Sequence, residues 1–289
     1  MRYAFIKEHR GQWALSLMAD ILAVSVSGFY AWLRRGRSKR AQDDEALTEK
    51  IAEFHWGSRF TYGSPRIHRD LKAAGHKVGR KRVARLMRSA GIRGKTKRKF
   101  KTTTTSRHAR PRAANLVKQN FAVATPNTLW ASDITYVSTA EGWLYLAVTL
   151  DLFSRKVVGW AFSDRLTDDL TLSALTMATR QRPESATLTH HSDQGSQYAS
   201  HAFRTELNAN RIQQSMSGKG NCYDNAVVES FFATLKTEEV QGANYQTRQQ
   251  AKTSIFSYLE GFYNPKRRHS ALGFLSPNDF ERLHLAILA

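Results

Sequence analysis

"TLTHHSDQGSQYAS", residues 187–200, runs from a Thr-rich apolar stretch into two histidines, one aspartate and a Gly/Ser/Gln loop. It reads as a buried strand over 186–192 that carries Asp193 at its C-terminal tip. A carboxylate in that position is costly to desolvate unless it is paired or holds a metal. Working outward, "TLWASDITYVST" (128–139), "GWLYLAVTLDLFSR" (142–155) and "KVVGWAFS" (156–163) read as three β-rich runs separated by turn residues. A helix over 167–181 precedes the 186–192 strand. A helix over 200–210, a short strand over 212–216 and a Gly-rich loop follow it, and long helical stretches over 225–240 and 247–262 come next. Three strands followed by alternating helix and strand predict an α/β fold, a mixed sheet sandwiched by helices.

Such a sheet can gather three acids that are distant along the chain. Asp133 lies inside the strand "WASDITY", where aspartate is disfavoured unless it has work to do. Asp193 ends the later strand. Glu229 opens the helix in "GNCYDNAVVESFFATLK". Fifty-nine residues separate the first two and thirty-five the last two. Oxygen-only ligands favour Mg²⁺ or Mn²⁺ over zinc. Two such ions about 3.5–4 Å apart suit in-line phosphoryl displacement. Lys236 falls on the face of Glu229 seven residues on, and could steady that acid or touch a phosphate. Asp224 fits a helix N-cap better than a ligand. His190 and His191 lack a metal-ligand partner at helical spacing, and Cys222 has no evident activating dyad.

The charge balance names the kind of partner. Across 289 residues, 44 Lys and Arg face 24 Asp and Glu, a formal charge of +20. That excess points to nucleic acid ahead of an anionic membrane. One cysteine excludes an internal disulfide framework and fits a reducing cytoplasm. Residues 14–26, "ALSLMADILAVSV", imitate a signal sequence. Asp20 interrupts them, however, "RRGRSKR" follows in place of a cleavage site, and they are too short to span a bilayer. They read better as the first helix of a hairpin, with Ser25 or Ser27 capping the second helix, "FYAWLRR".

Residues 65–91 repeat the helix-turn-helix scheme. A helix from Arg66 to Ala74 ends at Gly75, and a second carries the apolar stripe Val83, Leu86, Met87. Arg80, Lys81, Arg82, Arg85 and Arg88 occupy its other faces. Between 71 and 132 there are seventeen Lys and Arg and no acid, so phosphate contact is the favoured reading. Residues 93–112, with Lys97, Arg98 and Lys99 at their heart, have no apolar period and read as a basic arm ordered only on DNA. Four segments are expected: an N-terminal helical unit (1–40), a helix-turn-helix-like unit (41–92), a basic linker (93–120) and a catalytic core with C-terminal helices (121–289).

"YGSPRIHRDL", "RKRVARLMR", "WASDITYV", "EGWLYLAVTLDLFSRKVVGWAFS", "HHSDQGSQYAS", "SGKGNCYDNAVVESFFATLK" and "YNPKRRHSALGFLSPNDF" together resemble OrfB-type transposases of bacterial insertion sequences, the IS-three family. The likeness covers nearly the whole chain. It implies a ribonuclease-H-like core shared with retroviral integrases and a DDE triad that falls on Asp133, Asp193 and Glu229, with Lys236 at the associated basic position. Gly79 stands where many relatives start the second helix with Ser. The resemblance further implies Mg²⁺-dependent cleavage at the ends of an element and attack of the freed 3′-hydroxyl on another phosphodiester. Double-stranded DNA (terminal repeats and target) is the expected partner, bound by a homo-oligomer in the cytoplasm at the nucleoid. The family's working enzyme is usually a frameshift fusion with an upstream product that supplies a leucine zipper. This chain has no sustained leucine heptad, so it looks like the downstream product. The rival reading from another class is a non-catalytic DNA-binding regulator of transposition, and a third is a nuclease without strand transfer.

Overall fold

The computed structural model describes residues 1–96, 110–181, 187–218 and 225–288. Its centre is a five-stranded sheet of β1 (Leu129–Thr139), β2 (Gly142–Asp151), β3 (Val157–Ser163), β4 (Leu188–Ser192) and β5 (Ile212–Met216), in the order β3-β2-β1-β4-β5. The first three are antiparallel neighbours, while β4 runs parallel to both β1 and β5. The β1–β2 turn depends on Gly142, whose φ of +106° is a conformation that side chains resist. β1 alternates its faces, as a strand buried on both sides must. Leu129, Ala131 and Val137 enter one core, and Trp130 enters the other.

Helices α7 (Asp168–Arg180) and α8 (His201–Ala209) cover one face. Gly159 on β3 permits α7 to lie this close, because a Cβ there would come within 2.1 Å of the Ala174 carbonyl oxygen. On the opposite face sit α9 (Ala226–Leu235) and α10 (Arg248–Tyr258), each continued by a π-turn, Lys236–Val240 and Leu259–Tyr263. The continuous helices expected over 225–240 and 247–262 are therefore α-helical only in part. Helix α11 (Pro277–Leu288) ends the described chain, and Asn264 clasps β3 by bonding both the N–H and the carbonyl of Val157 at 2.9 Å.

The helical units are built differently from one another. α1 (Arg2–His9), α2 (Leu15–Ile21) and α3 (Val26–Arg34) share a small core of Ile6, Met18 and Phe29. Ser25, not Ser27, caps α3, accepting from the Gly28 N–H at 3.0 Å. α4 (Lys39–Gly57), α5 (Ser64–Ala73) and α6 (Arg80–Ser89) instead merge their apolar residues with the α9/α10 side of the sheet. Arg59 reaches Glu239 at 2.7 Å and Arg268 reaches Asp70 at 2.5 Å, fastening that unit to the C-terminal helices. Gly79 does start α6, with no side-chain cap. Among the described residues no single helix is long and apolar enough to cross a membrane.

The expectation of an arm ordered only on DNA needs correction at both of its ends. Lys95 donates to the Glu238 carbonyl at 2.6 Å, and Arg110 pairs with Asp168 at 2.9 Å. Just beyond, the Leu116 N–H donates to Ser215 and Val117 is buried. Carboxylates and carbonyls far along the chain supply partners that the local composition lacks. Lys97, Arg98 and Lys99 lie outside the described residues.

Candidate active site

The sheet register builds the site. β1 and β4 pair in parallel from Leu129↔Thr189 to Ser132↔Ser192. The register ends one residue short of Asp133 and Asp193, so each acid directly follows the last paired residue of neighbouring strands, which lie about 4.8 Å apart, and the two carboxyls interact by charge. Asp133 continues β1 where β4 stops, and Asp193 begins the loop. The loop folds tightly around its acid: Asp193 Oδ1 accepts from the Gly195 N–H at 2.9 Å, and a Cβ on Gly195 would crowd that same oxygen. Asp133 Oδ1 accepts from its neighbour's N–H, that of Ile134, at 2.7 Å. No ion pair joins Asp133 to a Lys or Arg among the described residues.

The electrostatic result is large. Burial, and then the charges of Asp193 and Glu229, push the Asp133 carboxyl up from 3.8 to about 8, with Lys236 opposing. Burial likewise raises Glu229. The buried Tyr198 hydroxyl is also driven well up, by burial and by both aspartates. It finds no hydrogen-bond partner among the described residues. A polar ladder supports the floor, with Ser132 Oγ bonded to Thr149 at 2.8 Å and to His190 Nε2 at 2.7 Å. His191 Nδ1 meets Ser215 at 2.9 Å. The two histidines are thus buried hydrogen-bonding residues of β4, consistent with their lack of metal-ligand spacing.

Glu229 sits in the first turn of α9, whose N-terminus is tied to β1 by Asn225 Nδ2 donating to the Ser132 carbonyl at 3.3 Å. Asn225 anchors the helix that carries Glu229, a contact that the sequence reading did not single out. Its only signal was its position four residues before Glu229, one helical turn away. Glu229 acts on Asp133 by charge. Among the described residues, however, no three His, Cys, Asp or Glu side chains are gathered as a finished ion site. Lys236 stacks its ammonium over Tyr136 at 5.1 Å and acts electrostatically on Asp133. Asp224 and Cys222 lie outside the described residues.

The donor set fits a hard divalent cation. The donors are oxygen, one on β1 and one just past the end of the neighbouring β4, and their mutual repulsion must be relieved either by a proton or by a cation. The basic helix α6 is partly self-satisfied. Arg82 and Arg85 each bind Asp44 of α4 at 2.7 Å. The counter-ion lies 38 and 41 residues upstream, outside the acid-free window. Arg80, Lys81 and Arg88 are exposed.

Comparison with known proteins agrees with this architecture. Residues 123–222 and 229–285 match family models of the integrase core domain, and residues 42–100 match an HTH-like domain. The chain is 45% identical over 268 residues to the insertion element IS600 uncharacterized 31 kDa protein of Shigella sonnei, covering 92% of this chain and 98% of that one. It is 41% identical over 288 residues to transposase InsF for insertion sequence IS3A of Escherichia coli (strain K12), covering 99% and 100%. Among solved structures, the simian T-cell lymphotropic virus intasome in complex with PP2A regulatory subunit B56 gamma aligns at a TM-score of 0.46 and 18% identity, over 80% of this chain and 74% of that one. The fold and its matches define an integrase-core protein with an HTH-like unit, a polynucleotidyl transferase that acts on DNA. The chain belongs to the IS3 family of insertion-sequence transposases.

Proposed function

We propose that Asp133, Asp193 and Glu229 form the catalytic triad and hold two Mg²⁺ or Mn²⁺ ions for cleavage at the element's ends and 3′-hydroxyl strand transfer. The observation that carries this reading is the β1–β4 register, which sets two carboxylates side by side with a third acid within electrostatic reach. Asp133 and Asp193 form the rigid half of the ligand set, because one is fixed by strand pairing and the other by the Gly195 turn. Glu229, carried by the first turn of α9, would complete the ligand set. Bound divalent cations would supply positive charge for the attacking and leaving oxygens of the phosphodiester. Lys236, held over Tyr136, is suited to steer a phosphate oxygen. Water serves as nucleophile in cleavage and a DNA hydroxyl in transfer, so no side chain needs to form a covalent intermediate.

Arg80, Lys81, Arg82, Arg85 and Arg88, with Lys97, Arg98 and Lys99, are proposed DNA contacts. Residues 1–40, 41–92, 93–120 and 121–289 are the proposed functional segments. Assembly on DNA as a homo-oligomer, with the upstream reading-frame product as partner, belongs to the same proposal. The test is Asp193→Asn assayed on a duplex that carries an element end. Cleavage should disappear while binding persists, and unchanged cleavage refutes the assignment. The non-catalytic regulator reading predicts no Mg²⁺-dependent cleavage even by the unaltered chain.

A further inference from the structure

Behind α9, away from the acids, lies a cleft of about 540 Å³. Its walls carry four cationic side chains, Arg66, Lys95, Arg155 and Arg267, and one carboxylate, Glu238. That carboxylate is fully engaged, taking two hydrogen bonds from Arg267 at 2.6 and 2.7 Å and one from Tyr258 at 2.8 Å. Lys95 is held at a carbonyl, and Arg66 spends its Nε on the Arg268 carbonyl at 3.0 Å. Neither Arg66 nor Arg155 has a carboxylate within ion-pair distance among the described residues. Both guanidiniums are half-buried, and their pKa values are pulled down, by burial first in each case. Arg155 is also held at φ +61°, a left-handed conformation unusual for a side-chain-bearing residue, with its carbonyl accepting from Tyr263 at 3.1 Å. Such strain is kept where a side chain must point to a particular place.

Desolvated positive charge without a counter-ion is unfavourable, and a chain retains it where a ligand brings the opposite sign. Hydroxyls of Ser230 and Ser270 on the same wall add neutral donors. We propose that this cleft is a phosphate-binding channel for the DNA backbone, with Arg66 and Arg155 as its anion ligands. It would position one strand against the back of the helix whose opposite flank carries Glu229. The inference rests on the reading of the chain as a DNA-acting transposase, but not on the identity of the triad.

The test measures the affinity of the full chain for duplex DNA as a function of salt. Removing one phosphate-binding side chain should flatten the log–log slope by about 0.9. Arg155→Gln should lower the slope by about one and Arg66→Gln/Arg155→Gln by about two. For the double variant, the fall in affinity between about 50 and 200 mM salt then becomes roughly tenfold smaller. Arg66 also helps fasten α5, so a second pair of variants guards against loss of fold. Thr234→Lys should steepen the slope by about one, and Thr234→Glu should flatten it and weaken binding. Slopes unchanged in all four variants overturn the proposal. A melting temperature raised by inorganic phosphate in the unaltered chain but not in the double variant, with DNA slopes unchanged, also overturns it, by assigning the cleft to a free anion. Failure of the triad would instead appear as cleavage surviving in Asp193→Asn, with these slopes untouched.

Discussion

Arg267 and Glu238 are buried together, only 5% and 7% exposed, and each answers the other's charge. Burial pushes Glu238 up, but the Arg267 hydrogen bonds outweigh it and its carboxyl ends below the ordinary value. Asp133, across α9, meets the opposite situation. Its near neighbour is another acid, and its carboxyl rises to about 8. The two sites differ in what the chain supplies. At Glu238 the fold closes the circuit with its own guanidinium, and the pair serves as a structural bolt between the π-turn that continues α9, helix α10 and the C-terminal segment. At Asp133 the fold supplies no ion-pair partner among the described residues, and the carboxyl is balanced either by a proton or by a cation. A buried charge is therefore informative mainly through its partner.

That contrast can be broken most decisively by chemistry. Asp133→Asn should reduce end cleavage by about 10³-fold or more, equivalent to at least about 4 kcal/mol of barrier, with duplex affinity within a few-fold of the unaltered chain. Glu238→Ala should do the reverse. It orphans Arg267 and should cost about 3–5 kcal/mol of stability, read by denaturant unfolding, while leaving Mn²⁺ affinity intact. Loss of ion binding in Glu238→Ala, measured on protein that is still folded, would erase the distinction between bolt and site.

A smaller effect sharpens the comparison through pH. A carboxyl whose folded pKa lies above its ordinary 3.8 favours the native state fully only below that value, and the advantage is lost as pH climbs to about 8. Asp133→Asn should therefore stabilise the metal-free protein progressively between about pH 4 and about pH 8 and by a constant amount above, on the order of 1–3 kcal/mol allowing for partial exposure. Thermal melts across that window check it, and a pH-independent difference would contradict it. Asp44, which Arg85 and Arg82 hold below the ordinary value through their hydrogen bonds, has the opposite sign. Its contribution is present above its unfolded pKa and lost on acidification. Asp44→Asn should weaken the α4–α6 contact only slightly, because the site is solvent-screened, and only above about pH 4.

Much of this was legible in the sequence because the sheet writes itself in apolar runs. The strand at 212–216 is found as read, and Asp133 stood out because aspartate inside an aromatic strand has few structural uses. Helix α4 was harder to see. Its charges mix both signs, and only Leu47, Ile51 and His55 are buried along it, a stripe every four residues. The pairing of Arg82 and Arg85 with Asp44 was not legible because that acid lies outside any local window. The standoff of Glu229 from the two aspartates depends on how α9 seats against β1. Tertiary geometry of that kind leaves no trace in residue spacing. Spacing put Lys236 on the face of Glu229, to steady that acid or touch a phosphate, and gave no sign of its interaction with Asp133.

The most direct test is a Mn²⁺ titration of the full chain at about pH 8.5, followed by electron paramagnetic resonance, on unaltered protein and on Asp133→Asn/Asp193→Asn. Saturable binding that weakens about tenfold per pH unit below about 8 and vanishes in the double variant is the expected result. Equal Mn²⁺ binding by the double variant would contradict it.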